Sequence, residues 1–200
     1  MYNHMVVREL LKLRKSDDIV YLTARNSELG KVAVKQLKEE GLEPAFFKLD
    51  ITSQNDIDTF ASHVKTYHAG LDVLINNAGI AFKNSSTEPF PLQAKVTIDT
   101  NYFGTLNVCE ALFPLLRKGS RVVNVSSSCG HLSKINGEEP QASKLRNELS
   151  KPDLTVDQLN QLMASFVKLA EDGEHIKNGW PNGAYKVSKV GVSALSIIQQ

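Results

Sequence analysis

The chain has 200 residues, 42% apolar and 22% charged, which is ordinary globular usage and excludes a disordered or collagen-like chain. Its 23 basic and 22 acidic side chains nearly cancel, leaving no strong field to draw nucleic acid or an anionic membrane. Two cysteines, Cys109 and Cys129, cannot staple a chain of this size, and no apolar run approaches the ~20 residues of a membrane span. Arg8, Glu9, Lys12, Arg14 and Lys15 deny Met1–Lys15 the apolar core of a signal peptide. The expectation is a single globular domain over 1–200, in the cytoplasm, with no nucleic acid, membrane or metal partner.

Val6, Val7, Leu10, Leu11 and Leu13 recur at helical spacing, broken at Asp17–Asp18. Ile19–Ala24 is a short, nearly continuous apolar run and predicts a strand buried on both faces. Ser27–Glu40 returns to helical spacing through Leu29, Val32, Ala33 and Leu37, and Gly41 reads as its C-terminal cap. Ala45–Leu49 predicts a second strand. Ser53 with Asp56 resembles a capping box, opening a helix that carries Ile57, Phe60, Val64 and Tyr67 on one face and ends near Gly70. Leu71–Ile75 predicts a third strand, Leu92–Arg117 a long helix and Arg121–Val125 a fourth strand. After Gly130 the alternation breaks. Gln141–Leu149 and Thr155–Glu171 read as helices, the second with a Thr155/Gln158 capping box and a packing stripe of Leu159, Leu162, Met163, Phe166 and Val167. They form a helical insertion at about 132–180, closed by Gly179-Trp180-Pro181, and Gly183–Gln200 reads as one more helix.

Strands alternating with helices predict right-handed crossovers and a doubly wound, parallel α/β sheet. Ligands of such sheets sit at the carboxyl ends of the strands, here Thr23–Arg25, Asp50–Ile51, Asn76–Gly79 and Ser126–Gly130. Tyr185 and Lys189 lie four apart, so a helix places them on one face. A free phenol ionises near pH ~10, and an ammonium beside it brings it toward neutrality as a general acid or base. The plain alternative is a solvated Lys beside a half-buried Tyr. Ser127, just past a strand, offers a hydroxyl to a carbonyl oxygen on which charge develops, or belongs to a serine-rich turn. Asn76-Asn77-Ala78-Gly79 either lets backbone approach a flat ligand or makes a plain turn. Asn101, within the long helix, either holds a buried polar network or faces solvent.

In order and at these elements, the four motifs resemble the short-chain dehydrogenase/reductase family. LTAR, GLDVLINNAGIAFK, TNYFGT, RVVNVSS, GWPNGAYKVSK and the insertion before Tyr185 are similar to its monomeric NADPH-dependent carbonyl reductases, which implies a Rossmann-like fold and a monomer. The resemblance implies that Tyr185 protonates the substrate carbonyl while hydride arrives from the nicotinamide. Lys189 would lower the Tyr185 pKa and hold the nicotinamide ribose, Ser127 would bond the carbonyl oxygen, and Asn101 would support a water-linked relay to Lys189. Asp50 and Ile51 would lie along the adenine, with Asn77, Ala78 and Gly79 by the cofactor and Asn77 near a ribose. Arg25 stands where NAD-dependent relatives often carry an acid, and its guanidinium suits the 2′-phosphate of NADPH. Phe82, Lys83 and Gln93 match substrate-side positions, and Phe82–Asn84 would wall the pocket of a small carbonyl substrate.

The family opens with a strand and a Thr-Gly-x-x-x-Gly-x-Gly loop that holds the pyrophosphate. These 200 residues contain no such loop; before Gly41 the glycine is Gly30, on another helix. Val6-Val-Arg-Glu-Leu-Leu matches the family's first helix, and Gln200 falls at the end of the Tyr185 helix. In the strand order 3-2-1-4-5-6-7 the absent strand is central. Ile19–Ala24 and Leu71–Ile75 would then face an empty slot, at roughly 1–3 kcal/mol per buried unsatisfied group, or slide together and pair. The expectation is a truncated gene model, splice product or fragment without the C-terminal strands. The competing expectation for function is a catalytically silent chain that binds no cofactor and serves at most as an interaction partner.

Overall fold

A computed structural model describes residues 3–83 and 85–200. The first helical stripe becomes α1 (Asn3–Leu13). It turns Val7 and Leu11 toward Leu22 of β1 (Tyr21–Ala24) and Leu37 of α2 (Ser27–Glu39), forming a small apolar cluster. The Asn26 side chain caps α2, accepting from the Leu29 N–H at 2.9 Å. Gly41, at φ +77°, ends the helix as the sequence predicts. Its N–H donates to the Lys38 carbonyl at 2.9 Å and the Leu42 N–H to the Leu37 carbonyl at 3.0 Å, closing a Schellman motif. β2 (Ala45–Lys48) then pairs in parallel with β1, Tyr21 opposite Ala45 and Ala24 opposite Lys48. This unit needs Gly30, because a Cβ there would lie 2.2 Å from the Phe46 ring.

Ser53 caps α3 (Gln54–His68), accepting from the Asp56 N–H at 3.3 Å. The reciprocal half of the expected capping box is replaced. The Asp56 carboxylate instead accepts from the Asp50 N–H at 2.9 Å and from Lys48. Those bonds, the Lys48 ammonium first, hold Asp56 below the usual carboxylate range.

β3 (Leu71–Asn76) pairs with β4 (Leu116–Asn124), extended by a Val125 N–H to Asn76 carbonyl bond of 2.9 Å. Between them run α4 (Phe90–Ile98), a π-helical turn at Asp99–Phe103, α5 (Gly104–Leu112) and a 3-10 turn at Phe113–Leu115. The expected helix over Leu92–Arg117 therefore stops at Leu112, and the strand starts at Leu116 rather than Arg121. Pro114 is the cause, since it has no N–H to give and its ring crowds the preceding turn. The insertion contains α6 (Gln141–Leu149) and α7 (Val156–Glu171). Its capping box is complete, with Gln158 N–H to Thr155 Oγ1 at 3.2 Å and Thr155 N–H to Gln158 Oε1 at 3.0 Å. α8 (Ala184–Ile198) closes the chain.

Among the described residues the strands pair as β1–β2 and β3–β4, two separate two-stranded sheets. The strands are shallower than predicted: Ile19 precedes β1 and is exposed, and within β1 Leu22 alone is fully buried. Leu29, Val32 and Tyr67, expected on buried faces, are exposed, as are Val73 and Val123. A two-stranded sheet is all edge, too narrow to be covered on both faces.

The chain divides into two compact units, Met1–Asp72 with Asn107–Ser120 and Val73–Leu106 with Arg121–Gln200. The second contains the larger core, where Tyr102, Leu159, Met163, Phe166, Trp180, Val187 and Leu195 are buried together. The α7 stripe thus packs, as expected.

Candidate active site

In the second unit the π-turn places Asn101. A π-turn widens the helix by one residue and recurs at functional sites. Here it closes with the Gly104 N–H on the Asp99 carbonyl and turns Asn101 inward until 1% of it is exposed. Its Oδ1 accepts from the Ile80 N–H at 2.7 Å, and its Nδ2 donates to the Ile80 carbonyl at 2.9 Å and to Ser188 Oγ at 3.0 Å. Of the two expectations for Asn101, the buried network is the one found. Both peptide groups of Ile80 are held, which fixes the loop leaving β3.

That loop presents Gly79, exposed and without a side chain. A Cβ there would lie 3.1 Å from Asn101 Oδ1 and 3.8 Å from Lys189 Nζ. Lys189 and Tyr185 stand one turn apart on α8, the ammonium 5.7 Å from the centre of the Tyr185 ring. Lys189 is buried and donates to the Val125 carbonyl at 2.7 Å. Burial pushes its pKa down. Tyr185 is half-buried, and its carbonyl accepts from Ser188 Oγ at 2.9 Å.

Ser127 caps the 3-10 turn Ser128–Gly130, its Oγ accepting from the Cys129 N–H at 3.1 Å. It belongs to a serine turn and still carries an O–H to donate. Gly130 presses that turn onto α8: a Cβ would fall 2.5 Å from Ser126 Oγ and 2.7 Å from both the Lys189 carbonyl and Ser193 Oγ. Asn76 Nδ2 donates to Asn124 Oδ1 at 2.8 Å, and Asn124 Nδ2 reaches Ser196 Oγ and Gln199 Oε1, each at 3.0 Å. These bonds tie β3 and β4 to α8. Sequence reasoning missed Asn124 and Ser188, although polar side chains inside an apolar strand and an apolar helix face were a usable signal.

The structure thus brings Gly79, Asn101, Tyr185 and Lys189 together, with Ser127 on the adjoining turn. Asn77 is half-buried and Ala78 exposed in the loop beside Gly79. Phe82 is half-buried and Lys83 exposed further along it, and Asn84 lies outside the described residues. Gln93 opens α4 and is tied back, its Nε2 donating to the Glu88 carbonyl at 2.8 Å. Arg25, Asp50 and Ile51 belong to the first unit. Arg25 is exposed at the carboxyl end of β1. Ile51 is half-buried, as is Asp50, whose Oδ1 accepts from the Thr52 N–H at 3.0 Å and Oγ1 at 2.7 Å. Among the described residues no three His, Cys, Asp or Glu side chains converge for a metal, and no helix is long and apolar enough to cross a membrane.

The short chain dehydrogenase family model matches residues 7–146. Carbonyl reductase (NADPH) 1 of Bos taurus is 46% identical over 196 residues, spanning 97% of this chain and 68% of that protein. The Homo sapiens protein of the same name is 42% identical over 193 residues, spanning 96% and 68%. Among solved structures, salutaridine reductase of Papaver somniferum superposes with a TM-score of 0.82 at 27% identity, over 97% of this chain and 76% of that one. Menthone neomenthol reductase of Mentha piperita gives 0.79 at 27%, over 94% and 77%. With a Rossmann-like α/β fold, a family model over residues 7–146 and relatives 42–46% identical over most of its length, the chain belongs to the short chain dehydrogenase family.

Proposed function

We propose that the chain is an NADPH-dependent carbonyl reductase that converts small aldehydes, ketones or quinones to alcohols or hydroquinones, as a cytoplasmic monomer whose insertion covers the family's subunit surface. The carrying observation is the network that joins Asn101 to Ile80 and Ser188, with Gly79 and Lys189 beside it. Each unit, taken by itself, offers residues that suit part of the cofactor. Gly79 leaves backbone bare beside the Lys189 ammonium, where a ribose and a flat ring can approach, and Arg25 offers an exposed guanidinium suited to a 2′-phosphate. When bound, NADPH supplies the hydride that forms the new C–H bond at the carbonyl carbon.

The protein supplies the proton. Tyr185 Oη donates it to the carbonyl oxygen as charge develops there, and the Ser127 O–H steadies the same oxygen. The Lys189 ammonium, 5.7 Å from the Tyr185 ring, stabilises the phenolate left behind. Asn101 is a positioning residue: by holding both peptide groups of Ile80 it keeps the loop at Gly79 against Lys189. Phe82, Lys83 and Gln93 would line the substrate side, while Asp50 and Ile51 would lie along the adenine and Asn77 and Ala78 along a ribose.

The second reading is a chain that binds no cofactor and acts at most as an interaction partner, favoured by the lack of a Thr-Gly-x-x-x-Gly-x-Gly segment in the 200 residues. Melting the chain with NADPH separates the two. A ligand bound by the native state alone raises the melting temperature, by about 2.7 kcal/mol of stability at a hundredfold excess over Kd. A rise is the expected result; an unchanged melting temperature at millimolar NADPH favours the silent chain.

A further inference from the structure

In the first unit, which contains none of the residues assigned to proton transfer, two imidazoles converge on one phenol oxygen. Tyr21 Oη lies 2.7 Å from His63 Nε2 and 2.8 Å from His68 Nε2. The two histidines are five apart on α3, about 140° around an ideal helix, so a shared helix face does not explain their meeting. Packing holds the rings in place. The His63 ring rests against Phe47 at 4.9 Å and Tyr67 at 4.8 Å, and both imidazoles stand edge-on to Tyr21 at 5.5 Å. His68 ends α3, with Ala69 turning into the left-handed region at φ 52°, and Arg117 donates to the His68 carbonyl while pairing with Asp72. All three donor groups are half-buried, which leaves one side open to solvent.

We infer that Tyr21, His63 and His68 form a binding site for a borderline divalent transition cation of the Zn2+ and Cu2+ class, with water completing the coordination. A phenol has one proton, so Tyr21 donates to one imidazole and accepts from the other; a cation takes a lone pair from all three atoms. Zinc–nitrogen bonds of about 2.0–2.1 Å place tetrahedral donors roughly 3.3 Å apart, so the Tyr21 oxygen needs to part from each imidazole nitrogen by only about half an ångström. Two imidazoles and a phenol suit zinc and copper, whereas magnesium and calcium want carboxylate and carbonyl oxygens that this cluster lacks. The third donor is a tyrosine, distant from the histidines in sequence, which hides the site from any His/Cys spacing.

The test is titration of the 200-residue chain with ZnCl2 by calorimetry, and with CuCl2 by visible absorption, in excess Mg2+. One equivalent of Zn2+ is expected to bind. His63→Ala and His68→Ala each weaken it by at least about tenfold, the size that even outer partners of metal ligands command. His131→Ala leaves it unchanged. Copper is expected to give a phenolate-to-metal charge-transfer band that Tyr21→Phe abolishes; this conservative variant decides the matter even where an alanine variant fails to fold. No binding in Mg2+, equal affinity in the folded histidine variants, or a charge-transfer band surviving in Tyr21→Phe each overturns the site.

Discussion

Lys189 illustrates how much a single side chain does once its surroundings are fixed. It is buried, and its charge is tolerated because it donates a hydrogen bond to the Val125 carbonyl at 2.7 Å and the Tyr185 ring stands nearby. The chemistry then falls to Tyr185, whose hydroxyl is the donor the proposed reaction requires. Tyr185→Phe removes that oxygen and keeps the ring. Carbonyl reduction at saturating NADPH is expected to fall by about 100- to 10,000-fold, the usual worth of a positioned general acid, while the NADPH-induced rise in melting temperature persists. Preserved turnover would take Tyr185 out of proton transfer; loss of the melting shift would mean that the ring or hydroxyl serves binding instead. Tyr185, Lys189, Ser127 and Asn101 stood out before any coordinates because their four motifs fall together, in order and at matching elements, as in the short chain dehydrogenase family. Asn124 and Ser188 were missed: a polar side chain on an apolar strand or helix face marks such positions, but nothing local in the sequence names the partner they bond.

At the scale of elements, the legible features are those whose energetics are local. Gly41 ends α2 and Thr155 opens α7 as read, because a cap is decided within a few residues. The π-turn at Asp99–Phe103 escaped, since one extra residue in a helix leaves the apolar period almost unchanged. The end of the long helix at Pro114 was readable and the wider period masked it. The 3-10 turn after Ser127 shows what such a local device does for the site. Gly130 touches Ser126, Ser193 and the Lys189 carbonyl so closely that no methyl group fits. Gly130→Ala is expected to destabilise the chain by about 1–3 kcal/mol in urea unfolding, as overpacking does. It should also cut turnover more than NADPH affinity, because the displaced turn carries Ser127. A neutral effect on both would show that the turn yields without cost.

On the whole-molecule scale, one imidazole lies buried against the larger core. His175 is 7% exposed and stacks on Phe90 at 4.5 Å, and the pull of the Asn182 side chain on it is smaller than the effect of its burial. Burial pushes its pKa below the ordinary imidazole value. Between that lowered value and the ordinary one, the unfolded chain binds more protons than the folded chain, so stability rises with pH across this window. The native state keeps its full stability above the ordinary imidazole range and loses part as pH falls through it. His175→Phe should flatten the difference in urea midpoint between pH about 7.5 and about 5.5, with the ring stack retained. An undiminished difference would assign the acid sensitivity elsewhere; Asp56, held low by Lys48 and the Asp50 N–H, loses its share only at more acidic pH. The depth of the strands was the least legible property at this scale. Val73, Val123 and Ile19 have the composition of a covered sheet, and whether a sheet is covered depends on elements far away in the sequence.

The two firmest holds at the proposed catalytic centre end on main chain. Asn101 grips the amide and carbonyl of Ile80, and Lys189 grips the carbonyl of Val125. Every amino acid but proline carries those atoms, so positions 80 and 125 are free to drift in side chain while positions 101 and 189 are not. The wiring is written in peptide groups, and a lineage can repaint the walls around it without cutting a wire.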